Sequence, residues 1–218
     1  MTVVLHGYRY SVYLRIVRLA LAEKGIFAPD LPAGYLQLHP FGKVPTLVHD
    51  GFAVYETAAI LRYVDRAFPG PALQPAEPKA LARMDQIVAV ADAYAYWPLV
   101  RQVFAHRVMR PQLGQAADED EIARGLAAAP RVLAALEKLA SAQRFLVGPA
   151  VSLADFHLGA MIAYFVQAPE GAALLASCPR LAAWWSAIST RPSFAATDPL
   201  AGANGSLRAE GARWPGSG

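Results

Sequence analysis

The dipeptide Asp50-Gly51 lies between the β-prone runs Thr46-Leu47-Val48-His49 and Phe52-Ala53-Val54-Tyr55, and this arrangement most limits what the chain can fold into. Asp-Gly suits the left-handed conformations of a two-residue turn, so it joins two short antiparallel strands. An earlier run, Val3-Val4-Leu5-His6, has the same β-prone character and ends at Gly7. Between these strands Leu14, Val17, Arg18 and Leu21 recur at spacings of three and four. They predict a helix from about Val12 to Lys24, stopped by Gly25. Ile60, Leu61 and Val64 predict another helix from Thr57 to Phe68. The order is strand, helix, gap, hairpin, helix.

Pro69-Gly70-Pro71 and Gln74-Pro75-Ala76-Glu77-Pro78 form a short connector, after which the pattern is almost wholly helical. One long helix is expected from about Lys79 to Val108, kinked or restarted at Pro98. A second is expected from Asp118 to Leu139, bent or broken at Pro130. Ser152-Leu153-Ala154-Asp155 has capping-box spacing and opens an apolar helix, Phe156 to Val166. A last helix runs from Pro179 to Thr190. The expected division is a mixed domain over 1–70, a helical domain over 77–200 and a flexible tail over 201–218, rich in Gly, Ala and Ser.

Composition narrows the function classes. At 218 residues and 55% hydrophobic content the chain can bury a large core. The net charge of +3 is spread over scattered arginines, and Asp118-Glu119-Asp120-Glu121 interrupts them, so no nucleic-acid partner is expected. The single cysteine, Cys178, permits a reducing compartment. The start, Met1 to Gly7, lacks the marks of a signal peptide, and no apolar run is long enough for a membrane span. A soluble cytoplasmic protein is the expectation. No metal-ligand spacing and no glycine-rich phosphate loop is present.

Three segments carry chemistry, and each has two readings. Ser11, in Tyr8-Arg9-Tyr10-Ser11, reads as a helix cap. It reads equally as a hydroxyl that stabilises an anion, such as a thiolate, at a helix N-terminus. In Phe41-Gly42-Lys43-Val44-Pro45-Thr46 the proline before a strand favours a trans turn on spacing alone. A cis bond would instead leave Val44 to pair with an extended ligand. In Tyr55-Glu56-Thr57 the pair Glu56-Thr57 reads as an N-cap or as a site for an amino-acid head group. There Thr57 would take a carboxylate and Glu56 an ammonium.

Taken in order, these segments resemble a glutathione S-transferase of the bacterial, serine-using type. The resemblance rests on Ser11 with Arg15 and Leu19 to Gly25, on His39 to Leu47, on Asp50 to Tyr63, and on Ser152 to Asp155. It covers about residues 2 to 197. It implies a two-domain α+β fold, with a thioredoxin-like N-terminal domain and an all-α C-terminal helical domain, and a homodimer. Ser11 would then hold the glutathione thiolate, with Tyr10 the runner-up. Val44 would pair with the cysteinyl unit, with Pro45 cis. Glu56 and Thr57 would take the γ-glutamyl end, and His39 or Lys43 the glycyl side. Glutathione is the implied co-substrate, without a metal, and the implied partner is a small hydrophobic electrophile to be detoxified by conjugation.

The electrophile pocket would be lined by Tyr8, Tyr96, Trp97, Arg101 and Phe104, with Tyr94 nearby. An aromatic stripe at this spacing also reads as core. Arg101 would stabilise negative charge developing on the electrophile. Two departures from the family stand out. Only about fourteen residues, with Pro29, Pro32 and Gly34 among them, separate Gly25 from His39, where the family fits a strand and a short helix. Tyr8, Tyr10 and Tyr13 also crowd the catalytic position. The alternative to an enzyme is a non-catalytic glutathione-binding or regulatory protein on the same scaffold. A weaker third reading is an RNA or protein-complex adaptor.

Overall fold

The computed structural model describes residues 1–26 and 37–200. Most of the short Gly25–His39 stretch, including Pro29, Pro32 and Gly34, lies outside the described residues, as does the tail from Ala201.

Among the described residues the N-terminal half has three strands and two helices. Strand β1 is Val3–His6, helix α1 is Val12–Glu23, and strands β2 (Thr46–His49) and β3 (Phe52–Tyr55) precede helix α2 (Thr57–Ala67). The strands form one antiparallel sheet in the order β1-β2-β3. Asp50 (φ 47°) and Gly51 (φ 86°) both take the left-handed conformation of the hairpin turn.

Helix α1 is apolar nearly all round, and the fold uses all of it. Leu14, Ile16, Val17, Leu19 and Ala20 are each 0% exposed, because α1 packs on α2 and also against helices of the C-terminal half. Its C-terminal end is tied down by ions. Lys24 Nζ lies 2.9 Å from the Asp65 carboxylate and donates to the Pro71 carbonyl at 2.7 Å. Glu23 accepts from Arg191 Nε at 3.0 Å and from Ser193 Oγ at 2.6 Å, near the end of the described chain.

The C-terminal half is helical. Helix α3 (Pro78–Val90) runs on without a break into a π-helical segment, Ala91–Met109, and then into the short α4 (Arg110–Gln112). The kink or restart expected at Pro98 is replaced by wider winding: Arg110 N–H donates to the Ala105 carbonyl five residues back. A proline ring clashes with the carbonyl four residues before it in an α-helix. The i→i+5 turn relieves that clash.

Helix α5 (Glu119–Leu139) also passes through its proline uninterrupted. Pro130 is exposed there, and the carbonyl it leaves unbonded is that of half-buried Leu126, four residues earlier. Helix α6 (Leu153–Phe165) is buried at every position and packs against α1 and the π segment. Asp155 reaches back to the Ser152 N–H and Oγ, both at 2.7 Å, closing the capping box. Helices α7 (Pro169–Ala176), α8 (Pro179–Ile188) and α9 (Pro192–Ala196) complete the chain. No helix among the described residues is long and apolar enough to cross a membrane.

Candidate functional site

Strand register assembles the site. His6 faces Thr46, and Thr46 faces Tyr55. The end of β1, the start of β2 and the end of β3 therefore lie side by side, with neighbouring strands about 4.8 Å apart. The segments that leave this end of the sheet are Gly7–Ser11, Lys43–Pro45 and Glu56–Thr57, the same three singled out from the sequence.

The first segment folds tightly back on α1. A Cβ at Gly7 would come within 2.1 Å of Leu14 Cδ1, so only glycine lets the loop pass. Ser11 N–H donates to the Tyr8 carbonyl at 2.8 Å. The Ser11 hydroxyl caps α1 by accepting from Leu14 N–H at 3.4 Å. That bond is long, and Ser11 stays half-buried, so its oxygen keeps capacity for another partner. Tyr10 points the other way: it is 1% exposed within the core, and its carbonyl accepts from Tyr164 Oη at 3.2 Å. The runner-up thiol activator is thus walled off from a ligand by its own packing. Tyr8 is half-buried and sits edge-on to Tyr10, with ring centroids 5.4 Å apart.

One turn along α1, Arg15 is buried with its guanidinium over the rings of Tyr164 (5.5 Å) and Phe194 (5.8 Å). It donates to the Phe194 carbonyl at 3.2 Å. Burial lowers its pKa, yet an arginine stays charged, so a cation stands behind the start of α1.

The Val44–Pro45 bond is cis, where spacing alone favoured a trans turn. Val44 is half-buried, Pro45 buried and Lys43 exposed. His39 departs from its expected place on the glycyl side. It is 2% exposed, its Nδ1 accepts from Phe41 N–H at 3.3 Å, and its ring packs 4.6 Å from that of Tyr55. Ring packing against Tyr55 draws it inward.

Glu56 adopts φ 69°, unusual for a residue with a Cβ. Its exposed side chain makes no capping bond to α2, so the simple N-cap reading of Glu56 fails. Thr57 begins α2 and is 8% exposed. A strained residue with a free carboxylate beside uncapped helix amides is suited to a zwitterionic head group.

The aromatic stripe divides. Phe104 is fully buried and stacks on Tyr164 at 4.5 Å, so it belongs to the core and does not line a pocket. Tyr96 is half-buried; burial raises its pKa, and a hydrogen bond from Arg101 opposes that. Arg101 also lies 5.8 Å over the ring of Trp97, which is 58% exposed. Tyr94 is exposed beside them. Among the described residues no group of three His, Cys, Asp or Glu could hold a metal ion.

The sequence reading missed one cluster. Tyr13 on α1 packs 4.8 Å from the Tyr96 ring and 6.2 Å from the His157 ring, and burial together with the negative charge of Asp92 raises its pKa. Asp92 Oδ1 lies 2.7 Å from His157 Nε2 on α6. The available signal was His157 itself, which interrupts an otherwise apolar helix.

Comparisons with known proteins agree with this geometry. The family model for the glutathione S-transferase N-terminal domain matches residues 5–72, and that for the C-terminal domain matches residues 96–192. The chain is 29% identical over 205 residues to glutathione S-transferase 3 of Zea mays, covering 88% of this chain and 91% of that protein. It is 31% identical over 188 residues to glutathione S-transferase F10 of Arabidopsis thaliana, covering 81% and 87%. The solved structure of glutathione S-transferase-I bound with lactoylglutathione superposes with a TM-score of 0.79 at 25% identity, covering 90% of this chain and 98% of that one.

Proposed function

The chain belongs to the glutathione S-transferase family, and on that premise we propose that Ser11 is the residue that activates the glutathione thiol. The observation that carries this is the sheet register, which brings Ser11, cis-Pro45 and Glu56-Thr57 to one end of the sheet. Glutathione laid across that end presents its thiol to Ser11, its cysteinyl backbone to Val44 and its γ-glutamyl head to Glu56 and Thr57. The Ser11 O–H donates to the thiolate, and the start of α1 with Arg15 behind it adds positive potential; both favour the charged form. Residues 1–70 would thus supply the thiol site and residues 77–200 the electrophile wall, through Tyr96, Trp97 and Arg101, with Tyr8 from the loop before α1 as a further lining residue. Arg101, next to Tyr96 and Trp97, would stabilise charge on the electrophile. Lys43, exposed next to Val44, is the remaining candidate for the glycyl carboxylate.

The reaction is attack of the thiolate on a small apolar electrophile, in a serine-using enzyme of the kind found in bacteria, although the relatives named above come from plants. A ligand of the lactoylglutathione type, the one bound in the solved relative, is a candidate for the same end of the sheet. A cytoplasmic homodimer is proposed with it. The exposed ring of Phe52 against Tyr63 of α2 (5.3 Å), and exposed Tyr94 on the π segment, support association through those helices. The test is titration calorimetry with glutathione, followed by turnover with a chloronitrobenzene. Saturable binding and conjugation are expected, and absence of binding at millimolar glutathione would end the reading.

A further inference from the structure

Helix α6 carries three polar side chains in an otherwise apolar sequence: Asp155, His157 and Tyr164. Asp155 caps the helix and His157 pairs with Asp92; Tyr164 does neither. It is 0% exposed, stacked on Phe104 at 4.5 Å and covered by the Arg15 guanidinium 5.5 Å from its ring centroid. Arg15 is itself held, donating to the Phe194 carbonyl at 3.2 Å. The ring is therefore clamped between the π segment and α1. A phenylalanine would fill the same space without burying a hydroxyl, which costs free energy unless it is bonded. The bond is there: Tyr164 Oη donates to the Tyr10 carbonyl at 3.2 Å, from 154 residues further along the chain.

That carbonyl belongs to the peptide unit that leads into Ser11. The N–H of the same unit donates to the Tyr8 carbonyl at 2.8 Å and closes the turn Tyr8–Ser11. Both ends of one peptide are thus fixed, one by the turn and the other by α6. On its far side the Ser11 carbonyl accepts from Arg15 N–H at 3.0 Å. Ser11 itself is extended, at φ −67° and ψ 125°, so the peptide before it and the helix after it set where its hydroxyl points. Without Tyr164 that peptide keeps only the bond to Tyr8. Donation to its carbonyl also polarises the peptide and strengthens the remaining bond. Resting on the reading that Ser11 activates the glutathione thiol, we infer that Tyr164 is a positioning residue for Ser11, through which the helical half aims the hydroxyl of the thiol site. Burial raises the Tyr164 pKa, so the phenol keeps its proton and stays a donor.

Tyr164→Phe tests this, because it removes the hydroxyl and keeps the ring. The readouts are the pH profile of kcat/KM toward a chloronitrobenzene, ultraviolet titration of the bound thiol, glutathione affinity by calorimetry, and Tm. The acid limb is expected to move up by about half a unit, which at a fixed lower pH is about a threefold loss of rate. Glutathione affinity is expected to stay within about twofold, because Val44, Glu56 and Thr57 are untouched. The double variant Ser11→Ala/Tyr164→Phe is expected to share the acid limb of Ser11→Ala, because the tyrosine acts through the serine. Ile162→Val, a truncation at another fully buried position of α6, is expected to lower Tm while its acid limb stays in place. A lowered Tm with an unmoved limb in Tyr164→Phe would mean a merely structural role and overturn the proposal. A limb displaced as far in Ile162→Val, or a further shift in the double variant, would overturn it too. An acid limb that Ser11→Ala leaves in place would instead overturn the Ser11 reading beneath it.

Discussion

Replacing Ser11 by alanine separates its two roles by size and by pH. As a cap, Ser11 makes one 3.4 Å bond to Leu14 N–H. Such a long bond belongs at the low end of capping effects, so its loss costs about 0.5–1 kcal/mol and leaves the fold intact. As a donor to a thiolate, the same hydroxyl makes a charged hydrogen bond of about 1.5–3 kcal/mol. At about 1.4 kcal/mol per pKa unit, its loss raises the bound thiol by roughly one to two units. Below the thiol pKa the thiolate fraction, and with it kcat/KM toward a chloronitrobenzene, falls by roughly 10- to 100-fold. At high pH the variant regains most of the rate, because hydroxide does what the serine did. The assay is the pH profile of kcat/KM, with direct ultraviolet titration of the bound thiol. An acid limb that stays in place in Ser11→Ala would refute the assignment, whatever happens to the absolute rate. Tyr10→Phe is the control: its phenol is buried, so its acid limb is expected to stay where the wild type has it.

Other perturbations follow from the packing. Asp155 accepts from Leu146 N–H (2.9 Å), Ser152 N–H and Oγ (both 2.7 Å) and Trp184 Nε1 (2.8 Å), so Asp155→Ala orphans buried donors. The expected loss is about 3–5 kcal/mol in urea unfolding, where less than about 1 kcal/mol would contradict this account. A Cβ at Gly125 would lie 2.8 Å from the Pro98 carbonyl, where α5 crosses the π segment. Gly125→Ala is therefore expected to cost about 1–3 kcal/mol, read as a lowered Tm. Burial pushes the Glu23 and Asp65 carboxyls up, but Arg191 and Ser193 at the first, and Gln74 and Lys24 at the second, hold both below their ordinary values of 4.5 and 3.8. Their contribution is complete above those values and is lost as the pH falls through the lower folded ones. Stability should accordingly decline as the pH drops below about 4.5, and Glu23→Gln should flatten that decline.

Much of this architecture is visible in the sequence, and the exceptions have physical causes. Val3–His6, Thr46–His49 and Phe52–Tyr55 are legible as strands because each short run is bounded by turn chemistry. The prolines mislead. Pro98 and Pro130 both sit inside continuous helices, because a proline removes one bond and brings one clash. Wider winding absorbs that at the first, and the second lies on the exposed face of α5. Helix α7 escaped notice because its apolar content has little periodicity. In the candidate site, order along the chain identified the three segments, since one strand register brings them together. It could not show that Tyr10 and Phe104 turn inward, which is decided by neighbours distant in sequence such as Tyr164. For the same reason the cluster of Tyr13, Asp92 and His157 was invisible: its members come from three separate helices.

Helix α1, closed in on every side, also bears on how this protein can change. The residues after Ser11 have almost no free surface, so most substitutions there disturb packing before they alter chemistry. The exposed ring of Trp97 has room to vary. New substrate ranges, in nature or in a selected library, should therefore arise by drift on the π segment while the start of α1 stays fixed. A library confined to Tyr94, Tyr96, Trp97 and Arg101 should yield more active variants per clone than one spread over Val12 to Leu21.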